Sequence, residues 1–141
     1  MRSASILIVD DSAADRTSMR IAFERTGLPL KLSFADSGRL ALDLLMPRSD
    51  KPPLRPDLML LDVKMPSMSG LDLLQTLKAD PKLMTIPVFM LSGSDEKSDV
   101  LQAYSSCANG FIVKPTEASG LNEIAVVIGR LASCVLSYAE R

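Results

Sequence analysis

Short apolar runs and amphipathic stretches alternate along the whole chain. Four apolar runs have the length of buried strands, at positions 5–9, 58–61, 86–91 and 110–113. A weaker run at 30–35 predicts a fifth strand. The run at 58–61 contains no alternating polar positions, which is typical of a parallel sheet that is covered on both faces.

Between and after these strands, apolar residues recur at the spacing of helices. Ser12 and Ser37 favour helix starts, and Gly27 followed by Pro29 is a stop signal. The apolar positions of the five predicted helices are Met19, Ala22 and Phe23; Leu40, Ala41, Leu44 and Leu45; Leu71, Leu74 and Leu77; Val100, Ala103, Tyr104 and Cys107; and Leu121, Ile124, Ala125, Ile128, Leu131, Ala132 and Val135. Five strands that alternate with five helices predict an α/β fold with a doubly wound parallel sheet and right-handed crossovers.

Two segments do not fit a simple strand or a one-sided helix. Residues 46–56 are rich in proline and charge, so we interpret them as an extended loop and a tolerated surface insertion. In the last helix, Val126, Val127 and Leu136 add apolar residues off the main stripe. This surplus fits either a partner surface or a wide buried stripe, and the sequence alone does not separate the two.

Composition narrows the class of protein. With 141 residues, 47% hydrophobic and 23% charged, we expect one globular domain over residues 1–141 and no effector domain. Sixteen Lys and Arg against 17 Asp and Glu give a net charge of -1 without a basic stripe, which argues against direct binding of nucleic acid. The longest apolar runs fall far short of the ~20 residues of a membrane span, and no signal peptide is recognisable. We therefore expect a cytoplasmic protein that does not enter a membrane.

The counts of histidine and cysteine restrict the chemistry further. The chain has no histidine, so no histidine can act as a general base, a metal ligand or a phosphocarrier. Cys107 and Cys134 form no CxxC pair, and we expect them to be buried free thiols on helices. The chemistry must come from carboxylates, lysine, hydroxyl groups and the backbone.

Polar side chains follow four of the predicted strands at the point where each strand ends. They are Asp10 and Asp11 after the first strand, Asp62 at the end of the third, Ser92 after the fourth and Lys114 after the fifth. The carboxyl ends of parallel strands meet at one edge of an open α/β sheet, and ligands bind at that edge. We therefore expect these five residues to form one site.

Three carboxylates at one point repel each other unless a bound cation offsets their charge or one of them remains protonated. Oxygen ligands with open water positions suit Mg²⁺. A carboxylate oxygen beside the metal is able to act as a nucleophile and form an acyl phosphate. Lys114 and Ser92 are the candidates that would neutralise and hydrogen-bond a transferring phosphoryl group.

The chain resembles the receiver domain of bacterial two-component response regulators over nearly its whole length. The motifs that carry the resemblance are, in order, Asp10-Asp11, Asp62 with Met65-Pro66 and Gly70, Ser92, and Lys114-Pro115. Each motif alone is weak evidence for the resemblance, but all of them in this order are strong evidence. The resemblance implies a flavodoxin-like sheet with strand order 2-1-3-4-5 and a phosphoacceptor that assists its own phosphorylation and dephosphorylation rather than an enzyme.

The resemblance also implies a role for each site residue. Asp62 would accept the phosphoryl group from the phosphohistidine of a sensor histidine kinase. Asp11, Asp62 and the backbone carbonyl of Lys64 would bind Mg²⁺ directly, and Asp10 would bind it mainly through water. Lys114 would pair with the phosphoryl oxygens. A switch pair completes the set: Ser92 would turn its hydroxyl toward the phosphoryl group, and Phe111 would move inward with it.

Some positions differ from the commonest family pattern or carry added implications. Serine stands at position 92 where threonine is usual, and Phe111 lacks the hydroxyl of a tyrosine. Lys64 and Ser94 occupy the positions that tune hydrolysis of the acyl phosphate in this family. By the same resemblance, the Lys114-Pro115 bond would be cis, although only about 5–6% of X-Pro bonds are.

A narrower resemblance concerns single-domain regulators that are paired with bacterial phytochrome kinases. It rests on Lys78-Ala79-Asp80-Pro81, Ile86-Pro87, Tyr104 and the stretch from Ala108 to Pro115. Those regulators often dimerise, so it implies a bacterial phytochrome as the kinase and a homodimer through the fourth helix, fifth strand and fifth helix. Signalling would then pass through contacts with a downstream protein that the sequence does not identify.

Two other interpretations of the acidic cluster compete with that of a phosphorylated receiver domain. The carboxylates would merely cap helices in a pseudo-receiver, an interaction module that is never phosphorylated. Alternatively, the chain would be a Mg²⁺-dependent phosphohydrolase of the haloacid dehalogenase type with an aspartate nucleophile. That family needs an acid two residues after the nucleophile, and this chain has Lys64 there.

Overall fold

The computed structural model of the chain describes the backbone of residues 3–139 and the side chains of residues 3–135. Within that range the chain forms five strands and five helices in strict alternation. They are β1 (Ala4–Val9), α1 (Ala13–Arg25), β2 (Leu30–Ala35), α2 (Gly38–Leu45), β3 (Leu58–Asp62), α3 (Gly70–Ala79), β4 (Val88–Ser92), α4 (Lys97–Ser105), β5 (Gly110–Val113) and α5 (Ala118–Ala139).

The strands form one parallel sheet in the order β2-β1-β3-β4-β5. The predicted doubly wound, flavodoxin-like fold is therefore confirmed. Residues 46–56 contain no regular element, as their proline content predicts. The end of this loop is hydrogen-bonded to α2: Leu54 N donates to Leu44 O at 2.8 Å, and Arg55 Nη1 donates to Leu45 O at 2.7 Å.

Three helices start on serine caps directly after loops at the carboxyl edge of the sheet. Ser12 accepts a hydrogen bond from Asp15 N, and Ser37 accepts one from Leu40 N. Ser69 accepts one from Asp72 N, and the Asp72 side chain accepts one from Ser69 N in return. A serine cap contributes about 1 kcal/mol to helix stability. These caps fix where α1, α2 and α3 begin, and so fix the length of each loop around the site.

The hydrophobic core consists of two layers, one on each face of the sheet. Along β1, Leu7 and Val9 point to the layer under α2, α3 and α4, whereas Ile6 and Ile8 point to the layer under α1 and α5. All four side chains are fully buried. β3 is buried in the same way at every position, which explains why its sequence shows no polar alternation.

α5 is the longest and most apolar helix of the described chain. Residues 118–135 have a mean hydropathy of 1.3, enough by length and composition alone to cross a membrane. In the fold, however, α5 packs along α1 and β1, and Ala125, Ile128 and Ala132 are buried in the core. Val127 is 65% exposed, so the extra apolar residues form no wide buried stripe at that position. Leu136 lies outside the described side chains.

The expectation that both cysteines are buried thiols on helices is wrong: both are exposed, and only Cys134 lies on a helix. α4 lies at the edge of the sheet and ends at Ser105, so Ala103 is its only fully buried residue, and Tyr104 is 52% exposed. Cys107 comes after the helix with φ 70, and both it and Cys134 are free but exposed. The helical period was correct, but a helix at a sheet edge has too little to pack against to bury a full stripe.

The expected cis bond at Lys114-Pro115 is also wrong, because residues 3–139 contain no cis peptide bond. The trans form of an X-Pro bond is the lower in energy by about 0.5–1 kcal/mol.

Candidate functional site

The strand register brings the carboxyl ends of the central strands to one level. Val9 pairs with Leu61, so the next residues, Asp10 and Asp62, lie side by side. The ladder continues past the strands, since Asp10 N donates to Ala35 O at 3.1 Å and Lys114 N donates to Ser92 O at 2.7 Å. The backbones that carry the site are therefore held by the sheet itself.

Three carboxylates meet at this edge. Asp10, Asp11 and Asp62 each place an oxygen within 4.8 Å of the others, close enough to share one metal ion. Asp10 is fully buried, Asp62 is 8% exposed and Asp11 is exposed. The Asp10 side chain accepts a hydrogen bond from Ser12 N at 2.9 Å, and Arg16 Nη1 donates to the Asp10 carbonyl at 2.7 Å. The donor set contains oxygen alone, which fits a hard cation such as Mg²⁺.

The Lys114 ammonium group lies among these carboxylates. Its Nζ is 2.9 Å from Asp10 Oδ2, 3.5 Å from Asp62 Oδ1 and 2.8 Å from Asp15 Oδ2. The Lys114 side chain is 20% exposed and the Asp15 side chain is 45% exposed. Asp15 was absent from the predicted site, because its sequence position in the first turn of α1 gives it the ordinary function of a helix-start carboxylate.

Burial and charge shift the pKa values of the two central groups in different ways. Burial, with the neighbouring Asp10 carboxylate, raises the pKa of Asp62 from 3.8 to about 6, and the charge and hydrogen bond of Lys114 oppose this rise. Burial by itself would lower the pKa of Lys114, but its hydrogen bonds to Asp15 and Asp10 raise it above the ordinary value. Lys114 is thus cationic at neutral pH, and Asp62 is mostly ionised there.

The turn after Asp62 depends on Gly70. Gly70 N donates to Val63 O at 2.9 Å, which brings the start of α3 against the end of β3. A Cβ at position 70 would lie 2.0 Å from the Asp62 carbonyl oxygen and 2.8 Å from its carbon. Both contacts are with backbone that belongs to the sheet, so only glycine fits without moving Asp62. Ser67, in the same turn, has a φ of 67.

The remaining predicted site residues surround this centre. Ser92 is buried, and its hydroxyl accepts a hydrogen bond from Ser94 N at 3.2 Å. Phe111 is partly buried against the core layer of α3 and α4. Lys64 is exposed in the loop after β3, and its ammonium group is 3.4 Å from a Glu96 carboxylate oxygen. The opening of the site is therefore bordered by charged, solvated side chains.

This arrangement has the parts for transfer to a carboxylate. Asp62 is a nearly buried carboxylate, Lys114 puts a positive charge 3.5 Å from its Oδ1, and Asp10 and Asp11 place oxygens close enough to share a metal ion with it. Beside them, a groove of about 440 Å³ runs along α1 from Asp15 to Arg25 and separates it from the β5–α5 loop and the start of α5, and Lys114 also lines it.

Comparisons with known proteins agree with this arrangement. The family model of the response regulator receiver domain matches residues 6–125. The chemotaxis protein CheY-3 of Vibrio cholerae is 33% identical over 122 residues, which are 86% of this chain and 88% of that protein.

Two solved structures of response regulators have the same fold, and the first is that of a phytochrome response regulator. The phosphorylated cyanobacterial regulator RcpA superposes with a TM-score of 0.83 at 31% identity, covering 89% of this chain and 91% of its own. The Mn²⁺-bound response regulator Rcp1 superposes with a TM-score of 0.80 at 28% identity over the same shares of the two chains.

Proposed function

Because this chain belongs to the response regulator receiver domain family, we propose that it is a phosphoacceptor of a two-component pathway. Asp62 takes the phosphoryl group from the phosphohistidine of a sensor histidine kinase. The observation that carries the proposal is the convergence of Asp10, Asp11, Asp62 and Lys114 at the carboxyl edge of the sheet. The protein acts as a signalling receiver and turns over no free substrate.

The transfer is a substitution at phosphorus. One oxygen of the Asp62 carboxylate forms a P–O bond while the P–N bond to the kinase imidazole breaks, and the imidazole nitrogen leaves with the bonding pair. Only the ionised carboxylate has the lone pair for this attack, and a pKa of about 6 leaves most Asp62 ionised at neutral pH. Lys114, 3.5 Å from Asp62 Oδ1, is placed to neutralise an incoming phosphoryl oxygen.

Mg²⁺ is the metal that we assign to the acidic cluster. Asp11, Asp62 and the backbone carbonyl of Lys64 would hold it directly, and Asp10 would hold it through water. The bound ion would neutralise charge on the phosphoryl oxygens during transfer. The oxygen-only donor set and the mutual repulsion of the three carboxylates support this choice.

Ser92 and Phe111 form the switch. On phosphorylation, the Ser92 hydroxyl leaves its hydrogen bond with Ser94 N and turns to a phosphoryl oxygen. Phe111 is partly buried in the unphosphorylated protein, and it moves further inward into the space that the Ser92 hydroxyl leaves. The result is a population shift within one fold, and it alters the surface formed by α4, β5 and α5.

That surface is the proposed output. α4, β5 and α5 each expose large apolar side chains, among them Leu101, Tyr104, Val113 and Val127. We assign to it a homodimer contact and the contact with a downstream protein. The similarity to RcpA and Rcp1 favours a bacterial phytochrome as the kinase. We propose that this protein acts in the cytoplasm, without direct contact with nucleic acid or a membrane.

The test is intact-mass spectrometry after incubation with acetyl phosphate and Mg²⁺. We expect a gain of one phosphoryl group that a chelator and Asp62→Asn both abolish. Asp57→Asn serves as a matched aspartate variant away from the site, and it should still gain the group. An unchanged yield in Asp62→Asn would show that the phosphoacceptor has been wrongly assigned.

A second measurement addresses Lys114. Light scattering of wild type should show a change of mass on phosphorylation if dimerisation is the output. Lys114→Ala should keep metal binding, because Lys114 is no metal ligand, but should lose the coupling between phosphorylation and mass. Equal coupling in the variant and the wild type would contradict the role of Lys114.

A further inference from the structure

The ammonium group of Lys114 has three carboxylate neighbours, and the nearest is one that the proposed transfer does not use. Asp15 Oδ2 lies 2.8 Å from Nζ, against 2.9 Å for Asp10 Oδ2 and 3.5 Å for Asp62 Oδ1. We infer that Asp15 is a positioning residue that holds Lys114 on the α1 side of the site and releases it when Asp62 carries a phosphoryl group. This inference rests on the proposed function.

Both backbones that carry this pair are fixed, so the contact is changed by side-chain motion alone. Lys114 N donates to Ser92 O at 2.7 Å, directly past the end of β5. Asp15 N donates to the Ser12 cap at 3.2 Å, and Arg16, beside it, donates to the Asp10 carbonyl. The sheet edge and the first turn of α1 therefore keep the two side chains within reach of each other.

Asp10 and Asp15 both accept a hydrogen bond from Lys114, but losing that bond costs more free energy at Asp10 than at Asp15. Asp10 is fully buried, so its charge needs a partner at all times. Asp15 is 45% exposed at the edge of the groove between α1 and the β5–α5 loop, so water replaces Lys114 there at little cost. Asp15 is thus the contact that Lys114 gives up first.

Competition follows from the number of hydrogen-bond donors. An ammonium group has three N–H bonds: Asp15 and Asp10 accept two, and the third remains for the Asp62 side, where Oδ1 lies 3.5 Å from Nζ. A phosphoryl group on Asp62 adds several oxygens near Nζ, and each one that Lys114 bonds beyond the first takes a donor from Asp15 or Asp10. The Asp15 contact therefore stabilises the unphosphorylated protein relative to the phosphorylated one.

Removal of this contact should favour the phosphoryl-bound state. Beryllofluoride with Mg²⁺ is the probe, because it occupies the phosphoryl position without turnover and its binding is followed by ¹⁹F NMR. Asp15→Asn should bind it about fivefold more tightly than wild type, the upper range for a partly exposed ion pair. Asp15→Glu, which keeps the charge, should bind within about twofold of wild type.

Glu117→Gln is the matched control, because Glu117 is exposed and lines the same groove. If it tightens binding as much as Asp15→Asn does, the effect is one of general charge and the inference is overturned. Weaker or unchanged binding in Asp15→Asn overturns it as well. No binding by wild type overturns both this inference and the proposed function, so the two failures are distinguishable.

Discussion

Asp62→Asn should make the metal-free protein more stable at neutral pH. Burial raises the pKa of this carboxyl from 3.8 to about 6, so the folded protein favours its neutral form. A shift of about two pH units corresponds to about 3 kcal/mol, since each unit is worth 1.36 kcal/mol. The asparagine side chain is neutral and nearly the same size, so it removes this cost.

The direction of the pH dependence follows from proton binding. Between about pH 4 and 6 the folded protein keeps a proton on Asp62 that the unfolded chain has lost. This stabilisation is complete below the unfolded pKa of 3.8 and is lost as the pH rises through about 6. The difference in the free energy of unfolding between Asp62→Asn and wild type should therefore grow from near zero at pH 4 to about 3 kcal/mol at pH 7.5.

The assay is urea unfolding followed by circular dichroism, in the presence of a chelator. Tryptophan fluorescence is not available, because the chain contains no tryptophan. Asp50→Asn, in the exposed loop before β3, should follow wild type at both pH values. The reasoning is refuted if the gap between Asp62→Asn and wild type is the same at pH 4 and pH 7.5. It is also refuted if Mg²⁺ stabilises the two proteins equally at pH 7.5.

Two further substitutions test the packing around the site. Gly70→Ala should destabilise the fold by about 3 kcal/mol in urea unfolding, because its Cβ meets the Asp62 backbone at 2.0 Å, whereas Gly93→Ala, with nothing within 4 Å, should stay within about 0.5 kcal/mol of wild type. Leu74→Ala, in the core, should cost about 3 kcal/mol, and Leu101→Ala, 58% exposed, less than about 0.5 kcal/mol. Equal losses within either pair would contradict the burial described above.

The strands follow from local patterns, whereas their order was implied by the family resemblance. β2 and β5 begin and end where the predicted strands do, and β3 runs one residue past its apolar run, to Asp62. The meeting of Asp10, Asp62 and Lys114 at one edge follows from the parallel topology, which puts all carboxyl ends on the same side.

What could not be predicted depends on the position of helices relative to the sheet. The contact between Asp15 and Lys114 joins residues 99 apart, and it exists because the first turn of α1 lies beside the end of β5 in the fold. The exposure of Tyr104 and Cys107 depends on α4 lying at the sheet edge. Helical periodicity gives the face of a helix, but it does not say how much of that face another element covers.

The central place of β1 in the sheet has a consequence for the order in which the site forms during synthesis. β1 is made first, yet it lies between β2 and β3, so its second neighbour is missing until residue 62 has left the ribosome. Asp10 and Asp62 meet at that stage, about fifty residues before Lys114 leaves the ribosome. A nascent chain that ends before β5 therefore holds its carboxylates together without the lysine that balances them. At that stage, a divalent cation from the cytosol is the counter-charge available to the growing domain.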